Sequence, residues 1–168
     1  VYKRQEERIE ELDRVVGSLG FDTELLDHPV NRYRMADLIE PIERAVNHSR
    51  PHTVLIPQPS SYNQDHRAVH EAAMVATRPH DQNHFVSDVL VYEQPHTLMW
   101  PVAPAIEPTV FREIDIEAKI AAYRLHASQV RGHRSPEVIE ALARLRGAQI
   151  GRPFAEAFGV RRLVMPPA

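Results

Sequence analysis

The chain has 168 residues, of which 43% are hydrophobic and 26% are charged, which fits one globular domain and excludes a disordered chain. A formal net charge of -3 gives no basic field, so we exclude nucleic acid as a partner. The sequence contains no cysteine, which excludes disulfides and thiolate metal sites. No apolar run reaches the ~20 residues of a membrane span, so we predict a soluble, cytoplasmic protein.

Two amphipathic helices are predicted in the first part of the chain. Apolar residues recur at helical spacing from Arg4 to Leu19 and again from Ala36 to Val46. Gly20 follows the first of these segments as a stop signal. Because the sequence begins at Val1 rather than Met and the first helix starts almost at once, we expect that a preceding segment has been removed.

A strand, a loop, a helix and a second strand follow. The apolar run His52 to Pro57 predicts a buried strand, Asp65 to Thr77 a helix, and Phe85 to Tyr92 another strand. This βαβ order implies parallel strands, and ligands of such sheets bind beyond the carboxyl ends of the strands. The loop from Gln58 to His66 lies at that edge.

The rest of the chain is predicted to continue with loops, strands and helices. Pro95 to Pro108 contains the single Trp and is interpreted as an ordered surface loop of the kind that covers a site. No repeat or interdomain linker is found, so residues 1–168 are predicted to form one domain. The remaining predicted elements are a strand at Phe111 to Ile114, a helix at Ile116 to Val130, a helix opened by Ser135 and Pro136, and a strand at Val160 to Met165.

The densest polar cluster, Tyr62 to Arg67, lies at the predicted strand-to-helix turn. His66 in the first helical turn feels the positive end of the helix dipole, which favours the neutral imidazole that binds metals. Asp65 beside it could orient an imidazole. Spacing alone leaves an alternative open, in which Asn63 or Asp65 only caps the helix and His66 is solvated.

The histidines offer one further pattern. His66 and His70 stand at i and i+4, but Arg67 replaces the Glu of the zinc-protease motif. We therefore interpret His70 as a surface or packing residue, with a metallohydrolase that uses both histidines as a rival hypothesis. No ligand spacing is found for His28, His48, His80, His84, His96, His126 and His133.

Two carboxylates could face a substrate. Glu93 follows a predicted strand end, where it either contacts substrate or is an ordinary exposed carboxylate. Glu156 either faces the site or pairs with a nearby Arg. The sequence has no glycine-rich phosphate loop and no G-x-S-x-G motif, which argues against nucleotide-triphosphate and serine-hydrolase chemistry.

Short segments along most of the chain have an order and spacing that together are specific. They are Leu19 to Phe21, Arg50 to Leu55, Asn63 to Val69, Ala76 to Pro79, Val89 to Glu93, Lys119, Tyr123, Ser128 and Gln129, Arg134 to Glu137, Arg144 to Gly147, and Ala155 to Phe158. In these segments the chain resembles the PIG-L/LmbE-like N-acetylglucosaminyl deacetylases.

The resemblance implies a Rossmann-like three-layer α/β sandwich with a mostly parallel sheet. It also implies that Zn²⁺ or another divalent metal assists hydrolysis of an N-acetyl group from an amino sugar or glycoconjugate. In this family an A-H-P-D-D-E motif supplies two ligands and the base, and a later H-x-D-H motif supplies the third ligand. Only the second matches here, at Asn63 to His66. We therefore predict roughly the C-terminal two thirds of such a domain, without its N-terminal strand and metal-motif loop, and inactive alone.

The resemblance also suggests roles for single residues. His66 takes the metal-ligand position, and Asp65 takes the position that orients an imidazole. Asn63 replaces a His of the family, and since it donates a hydrogen bond but no proton, the general acid is unassigned. Arg67, Glu93 and Glu156 are predicted to bind substrate.

One rival to the deacetylase hypothesis differs in kind. It is a non-catalytic α/β module in which Asp65, His66 and Glu93 recognise a sugar or nucleotide without metal. The oligomeric state stays open, with a homo-oligomer among the options.

Overall fold

A computed structural model describes residues 5–99 and 106–165. None of the helices in these ranges is long and apolar enough to cross a membrane. In chain order the elements are α1 (Gln5–Leu19), α2 (Met35–Ser49), β1 (Thr53–Ile56), α3 (Gln64–Ala76), β2 (Asp88–Tyr92), α4 (Pro95–Met99), β3 (Val110–Glu113), α5 (Ile116–Arg124), α6 (Pro136–Gln149) and β4 (Ala155–Arg162), with single 3-10 turns at Ala127–Gln129 and Gly132–Arg134.

Side-chain caps begin three of the helices. The Asn63 side chain accepts a hydrogen bond from the amide of Asp65 at the start of α3, and Asp115 accepts two amide hydrogen bonds at the start of α5. Ser135 caps α6, whose first residue is proline, as the sequence predicts. Such caps satisfy amides that have no partner within the helix, and each stabilises a helix by about 1 kcal/mol.

The strands form one sheet with the order β1-β2-β4-β3. β1 and β2 are parallel, with Thr53 opposite Asp88, so the predicted βαβ unit is present. β4 returns antiparallel to β2, with Tyr92 opposite Phe158. The predicted α/β class is therefore confirmed, while the described part of the sheet is mixed rather than mostly parallel because β4 runs back along β2.

The prediction of a loop from Pro95 to Pro108 is wrong for the first part of this segment. Residues Pro95–Met99 form the short helix α4, and proline is well tolerated at the first position of a helix because the amide it lacks would have no partner there. Residues 100–105, which include Trp100, lie outside the described ranges.

Three other predicted boundaries also shift. β2 begins at Asp88 rather than Phe85, and α5 ends at Arg124 rather than Val130. β4 begins at Ala155 rather than Val160, and its first residues include buried alanines, which have little intrinsic preference for strands. Packing decided this strand where local preference gave no signal.

The described residues form two compact units. The first consists of residues 5–27 and 111–156, and the second of residues 28–99, 106–110 and 157–165. The second unit contains a core cluster of six buried side chains, and burial of a valine or isoleucine side chain stabilises a fold by roughly 1.5–3 kcal/mol. These six are Val46, Ile56, Ala73, Val86, Val89 and Val91.

In the first unit, a buried carboxylate joins helix α1 to the 3-10 turn after α5. Glu11 is 2% exposed, and both the amide and the hydroxyl of Ser128 donate to its carboxylate, each at 2.6 Å. Close by in sequence, the Tyr123 hydroxyl donates to the Arg134 carbonyl at 2.8 Å. The bonds between Glu11 and Ser128 hold together segments that are 117 residues apart in the chain.

Gly147 in α6 marks a close approach of two backbones in the first unit. A Cβ atom at this position would lie 2.5 Å from the Arg152 carbonyl oxygen and 2.7 Å from the Phe154 nitrogen. These distances are well below van der Waals contact, so the helix can pack against the segment that leads into β4 only without a side chain here.

Candidate functional site

The predicted site residues of the second unit follow the ends of two neighbouring strands. β1 ends at Ile56, and the loop after it leads to Asn63 and His66 at the start of α3. β2 ends at Tyr92, and Glu93 comes directly after it. Because β1 and β2 are parallel, both carboxyl ends lie at the same edge of the sheet, where α/β proteins bind ligands.

The loop after β1 is held by hydrogen bonds from residues at the end of the loop and in the first turns of α3. The Arg67 guanidinium donates to the carbonyls of Ser61 at 2.6 Å and Tyr62 at 3.0 Å. The Asn63 amide donates to the Ser61 hydroxyl at 3.1 Å, and the Asn63 Oδ1 accepts from the Asp65 amide at 2.9 Å. Arg67, which is predicted to bind substrate, thus donates hydrogen bonds to carbonyls of the loop. Asn63 caps helix α3, as in the interpretation that gives this residue only a capping role.

His66 is half-buried and contacts the loop through one ring nitrogen. Its Nδ1 atom lies 3.2 Å from the Oγ of Ser61, a residue with no exposed surface. Metal-binding histidines commonly use one ring nitrogen for a second protein group and the other for the metal. The contact with Ser61 therefore identifies Nε2 as the atom through which His66 would bind a metal.

A second imidazole lies beside that of His66. The ring centres of His66 and His96 are 5.7 Å apart, and their planes are inclined by 55°. His96 is half-buried in α4, which follows the end of β2. Sequence reasoning missed both His96 and Ser61. His96 follows the end of β2 as Glu93 does, so its place after a strand of the βαβ unit is the signal that could have found it.

Asp65 is 5% exposed and receives two backbone amides from a distant segment. Asn31 donates to its carboxylate at 2.6 Å and Tyr33 at 3.2 Å. The side-chain amide of Gln64 donates to the Asn31 carbonyl, so Asn31 is held from both sides. Asn31 has a φ of 63°, a left-handed conformation that asparagine tolerates better than most residues. These bonds fasten the segment before α2 to the first turn of α3.

His70 lies in the interior of the second unit. It is 6% exposed, and its Nδ1 atom is 2.6 Å from the carbonyl oxygen of Pro57, so Nδ1 carries the proton and donates. Burial lowers the pKa of His70 below the usual range of histidine. This geometry agrees with the packing interpretation, because His70 ties α3 to the end of β1.

The two predicted glutamates differ in position. Glu93 is half-buried at the shared edge of β1 and β2. Glu156 belongs to the first unit, where Lys119 donates to its carboxylate. The partner is thus a lysine rather than the arginine considered in the sequence. The structure brings Asn63, Asp65 and His66 together on one helical turn.

Gln58 in the same loop is a buried amide with an unusual environment. It has no exposed surface, and within the ranges that the structure describes neither its Oε1 nor its Nε2 has a hydrogen-bond partner. An unsatisfied buried polar group costs about 1–3 kcal/mol. The loop after β1 therefore carries a buried amide whose hydrogen-bonding groups find no partner among the described residues.

The donor atoms at this edge suit a divalent transition metal. Within the described ranges no group of three or more His, Asp, Glu or Cys could hold a metal ion. His66 and His96 nevertheless offer two imidazoles, which are ligands that zinc accepts readily. The contact of Ser61 with His66 Nδ1 is of the kind that supports a ligating histidine. The residues present therefore fit a metal as part of a ligand set.

Comparisons with known proteins give a match to one family model over part of the chain and a fold shared with solved structures. Residues 2–77 match the family model described as PIG-L: GlcNAc-PI de-N-acetylase. No curated protein matches the sequence significantly. The crystal structure of the conserved protein TT1542 from Thermus thermophilus has a TM-score of 0.78 and 22% identity, over 98% of this chain and 77% of that one.

A second solved structure is an enzyme. The N,N'-diacetylchitobiose deacetylase from Pyrococcus horikoshii, complexed with its inhibitor MPG, has a TM-score of 0.72 and 18% identity. The match covers 92% of this chain and 63% of that chain, so this chain spans less than two thirds of the deacetylase. At these identities the likeness to the two structures establishes a shared fold.

Proposed function

Since the match over residues 2–77 and the shared fold confirm the resemblance to the PIG-L family, we propose that this chain contributes one side of a hydrolase active site. The proposed enzyme is metal-dependent and removes an N-acetyl group from an N-acetylglucosamine-type amino sugar or glycoconjugate. The observation that carries the proposal is the half-buried imidazole of His66 at the carboxyl edge of parallel strands, supported by Ser61. The name of the Pyrococcus deacetylase, which denotes an N-acetylated sugar, supports the substrate class.

His66 is proposed to hold Zn²⁺ or another divalent cation through Nε2. When bound, such a cation polarises an amide carbonyl as a Lewis acid. With a cation at Nε2, Nδ1 would carry the proton and donate it to the Ser61 hydroxyl oxygen, and this bond would hold the orientation of the ring. Asp65 acts as a positioning residue, because its bonds to the amides of Asn31 and Tyr33 hold the first turn of α3 in place.

Asn63 is proposed to stabilise the negative charge that develops on the substrate oxygen. Its Oδ1 atom is used by the helix cap, so its side-chain nitrogen is the group that can donate to that oxygen. Glu93 at the same edge is a proposed contact for sugar hydroxyls. Arg67 and Glu156 stay proposed substrate contacts, although Arg67 also holds the loop and Glu156 pairs with Lys119.

In the proposed reaction, water adds to the acetyl carbonyl carbon and the bond from that carbon to nitrogen breaks. The nitrogen takes up a proton, and the products are acetate and a free amine. The general base is not assigned within these 168 residues, because the resemblance places it in an A-H-P-D-D-E motif that the sequence does not contain. We therefore expect this chain alone to hold zinc weakly and to release acetate slowly.

Calorimetry with an N-acetylglucosamine conjugate, with and without Zn²⁺, separates the hydrolase from a binding module. If the proposal is correct, zinc strengthens binding of the conjugate to the wild-type chain but not to His66→Ala, and slow acetate release depends on zinc. His48→Ala is the matched control, because His48 is an exposed histidine at the end of α2. Conjugate binding that needs neither zinc nor His66 would instead favour the module, and rapid metal-free turnover would overturn the proposal.

A further inference from the structure

His96 is a histidine that no sequence motif singles out, yet it lies at the proposed active site. Its ring centre is 5.7 Å from that of His66, and the two planes are inclined by 55°. We propose that His96 is a second imidazole ligand for the cation at His66, so that the metal site draws on both α3 and α4. This inference rests on the proposed function.

The spacing of the two rings is close to that of two ligands of one ion. With zinc-to-nitrogen bonds of about 2.0–2.1 Å and tetrahedral angles, two imidazole ligands have ring centres roughly 5 Å apart. The observed 5.7 Å is slightly larger, so the two rings would have to move closer together to share one ion. Tilted aromatic packing has a similar spacing, so packing without ligation is the competing outcome of the test below.

The positions of the two histidines are set by two paired strands of the sheet. His66 lies in the first turn of the helix that follows β1, and His96 lies in the helix that follows β2. β1 and β2 are paired in register through Ile56 and Val91, so the chain enters both helices from the same edge. Ligands that project from such elements are held more precisely than ligands on loops.

The position of His70 makes it a less suitable second ligand. Although it lies one turn after His66, it is 6% exposed, and its ring is directed to the Pro57 carbonyl at the end of β1. His96 is half-buried, and its ring lies beside that of His66. The imidazole pair that matters is therefore formed by tertiary structure and not by the i, i+4 spacing. Two nitrogen ligands also favour Zn²⁺ or Co²⁺ over Mg²⁺, which prefers oxygen.

The test uses the metal alone as the probe. We would titrate the metal-free 168-residue chain with Co²⁺, followed by its visible absorption, and with Zn²⁺ and Mg²⁺ by calorimetry. The variants are His96→Ala, His66→Ala, the ring-preserving His96→Phe, and the exposed-site control His48→Ala. Circular dichroism checks that each variant is folded. His96→Phe retains an aromatic ring beside His66, so it separates the loss of a ligand from the loss of packing.

The expected result is that His48→Ala binds Zn²⁺ and Co²⁺ as tightly as the wild-type chain does. Both proteins should bind Mg²⁺ much more weakly than Zn²⁺ or Co²⁺. His66→Ala, His96→Ala and His96→Phe should each weaken Zn²⁺ binding by at least about tenfold, because loss of a direct ligand costs no less than loss of a supporting group. Wild-type zinc affinity in His96→Phe, with loss in His66→Ala, would overturn the role of His96 and leave the proposed function standing. Zinc affinity unchanged by His66→Ala would overturn both.

Discussion

Each unit of this molecule contains a buried carboxylate that receives two hydrogen bonds from a distant segment. In the first unit, Glu11 is 2% exposed and receives the amide and the hydroxyl of Ser128. In the second unit, Asp65 is 5% exposed and receives the amides of Asn31 and Tyr33. Considered alone, the two carboxylates have the same role, because each joins a helix to a segment far away in the chain.

The surroundings of the two carboxylates are what differ. Asp65 stands next to His66, whose ring meets Ser61 and His96. Glu11 holds a turn of the chain at Ser128, in a unit for which no metal-ligating group is proposed. A buried carboxylate that accepts two hydrogen bonds therefore has, above all, the structural role of joining two segments. Its relevance to chemistry depends on the side chains beside it.

The largest effect is expected for Glu11→Ala. The substitution leaves the Ser128 amide and hydroxyl buried without their acceptor and removes side-chain volume, so we expect the free energy of unfolding to fall by about 3 kcal/mol. Urea denaturation measures this change. Glu11→Gln keeps the shape and one acceptor and should lose less. A loss below about 1 kcal/mol for Glu11→Ala would show that this carboxylate is not an anchor.

A smaller effect is expected for Asp65→Asn, which matches Glu11→Gln in kind. Both variants exchange one carboxylate oxygen for an amide nitrogen, and each should lower the free energy of unfolding by about 1–2 kcal/mol. Only Asp65→Asn should also weaken Zn²⁺ binding, because only Asp65 positions the turn that carries His66. Calorimetry with Zn²⁺ on both variants checks this, and equal zinc affinities would contradict the distinction between the two carboxylates.

A pH-dependent effect is expected at His70, a buried group of the second unit whose bond is structural like that of Glu11. Burial lowers the pKa of His70, so below the ordinary histidine value of ~6.5 the unfolded chain takes up a proton that the folded chain does not. The free energy of unfolding should therefore fall as the pH drops from about 7 to about 5. His70→Gln, which can still donate to the Pro57 carbonyl, should show a weaker dependence in urea denaturation. Equal pH slopes would contradict this account.

The smallest effect is expected at Gln58. Unlike the two carboxylates, which each accept two hydrogen bonds, Gln58 is a buried polar side chain without a hydrogen-bond partner among the described residues. Its amide is buried without a hydrogen bond in the part of the chain that the structure describes. Replacing it with an apolar side chain of similar shape, Gln58→Met, should leave the free energy of unfolding unchanged or raise it by up to about 1 kcal/mol. Thermal and urea denaturation measure the change, and a loss above about 2 kcal/mol would show that the amide does have a partner.

The sequence predicts those parts of the fold that have a strong local pattern. Helices α1, α2 and α3 lie where apolar spacing places them, and α6 begins at Ser135 and Pro136 as expected, because caps and amphipathic faces are local signals. The start of β4 gave no such signal. Ala155 and Ala157 are small residues without a strand preference, and they are buried because neighbouring strands accept them.

The site shows the same division between local and distant information. The turn from Asn63 to His66 could be located from the chain order alone, since it follows a strand of a βαβ unit. The contact with His96 depends on the register of two strands, and the bonds from Asn31 and Tyr33 to Asp65 join segments 32 to 34 residues apart. Periodicity carries no information about such contacts, so the sequence could not reveal them.

The close approach at Gly147 limits how this chain can vary over time. Every other amino acid adds at least a Cβ atom, which would meet the backbone of Arg152 and Phe154 at 2.5–2.7 Å. Any substitution at Gly147 therefore causes a steric clash already at Cβ, and the clash does not depend on the rest of the side chain. The segment that would have to yield leads into Ala155, the first residue of β4. A mutation at a residue without a side chain would thus change the entry of a strand into the sheet.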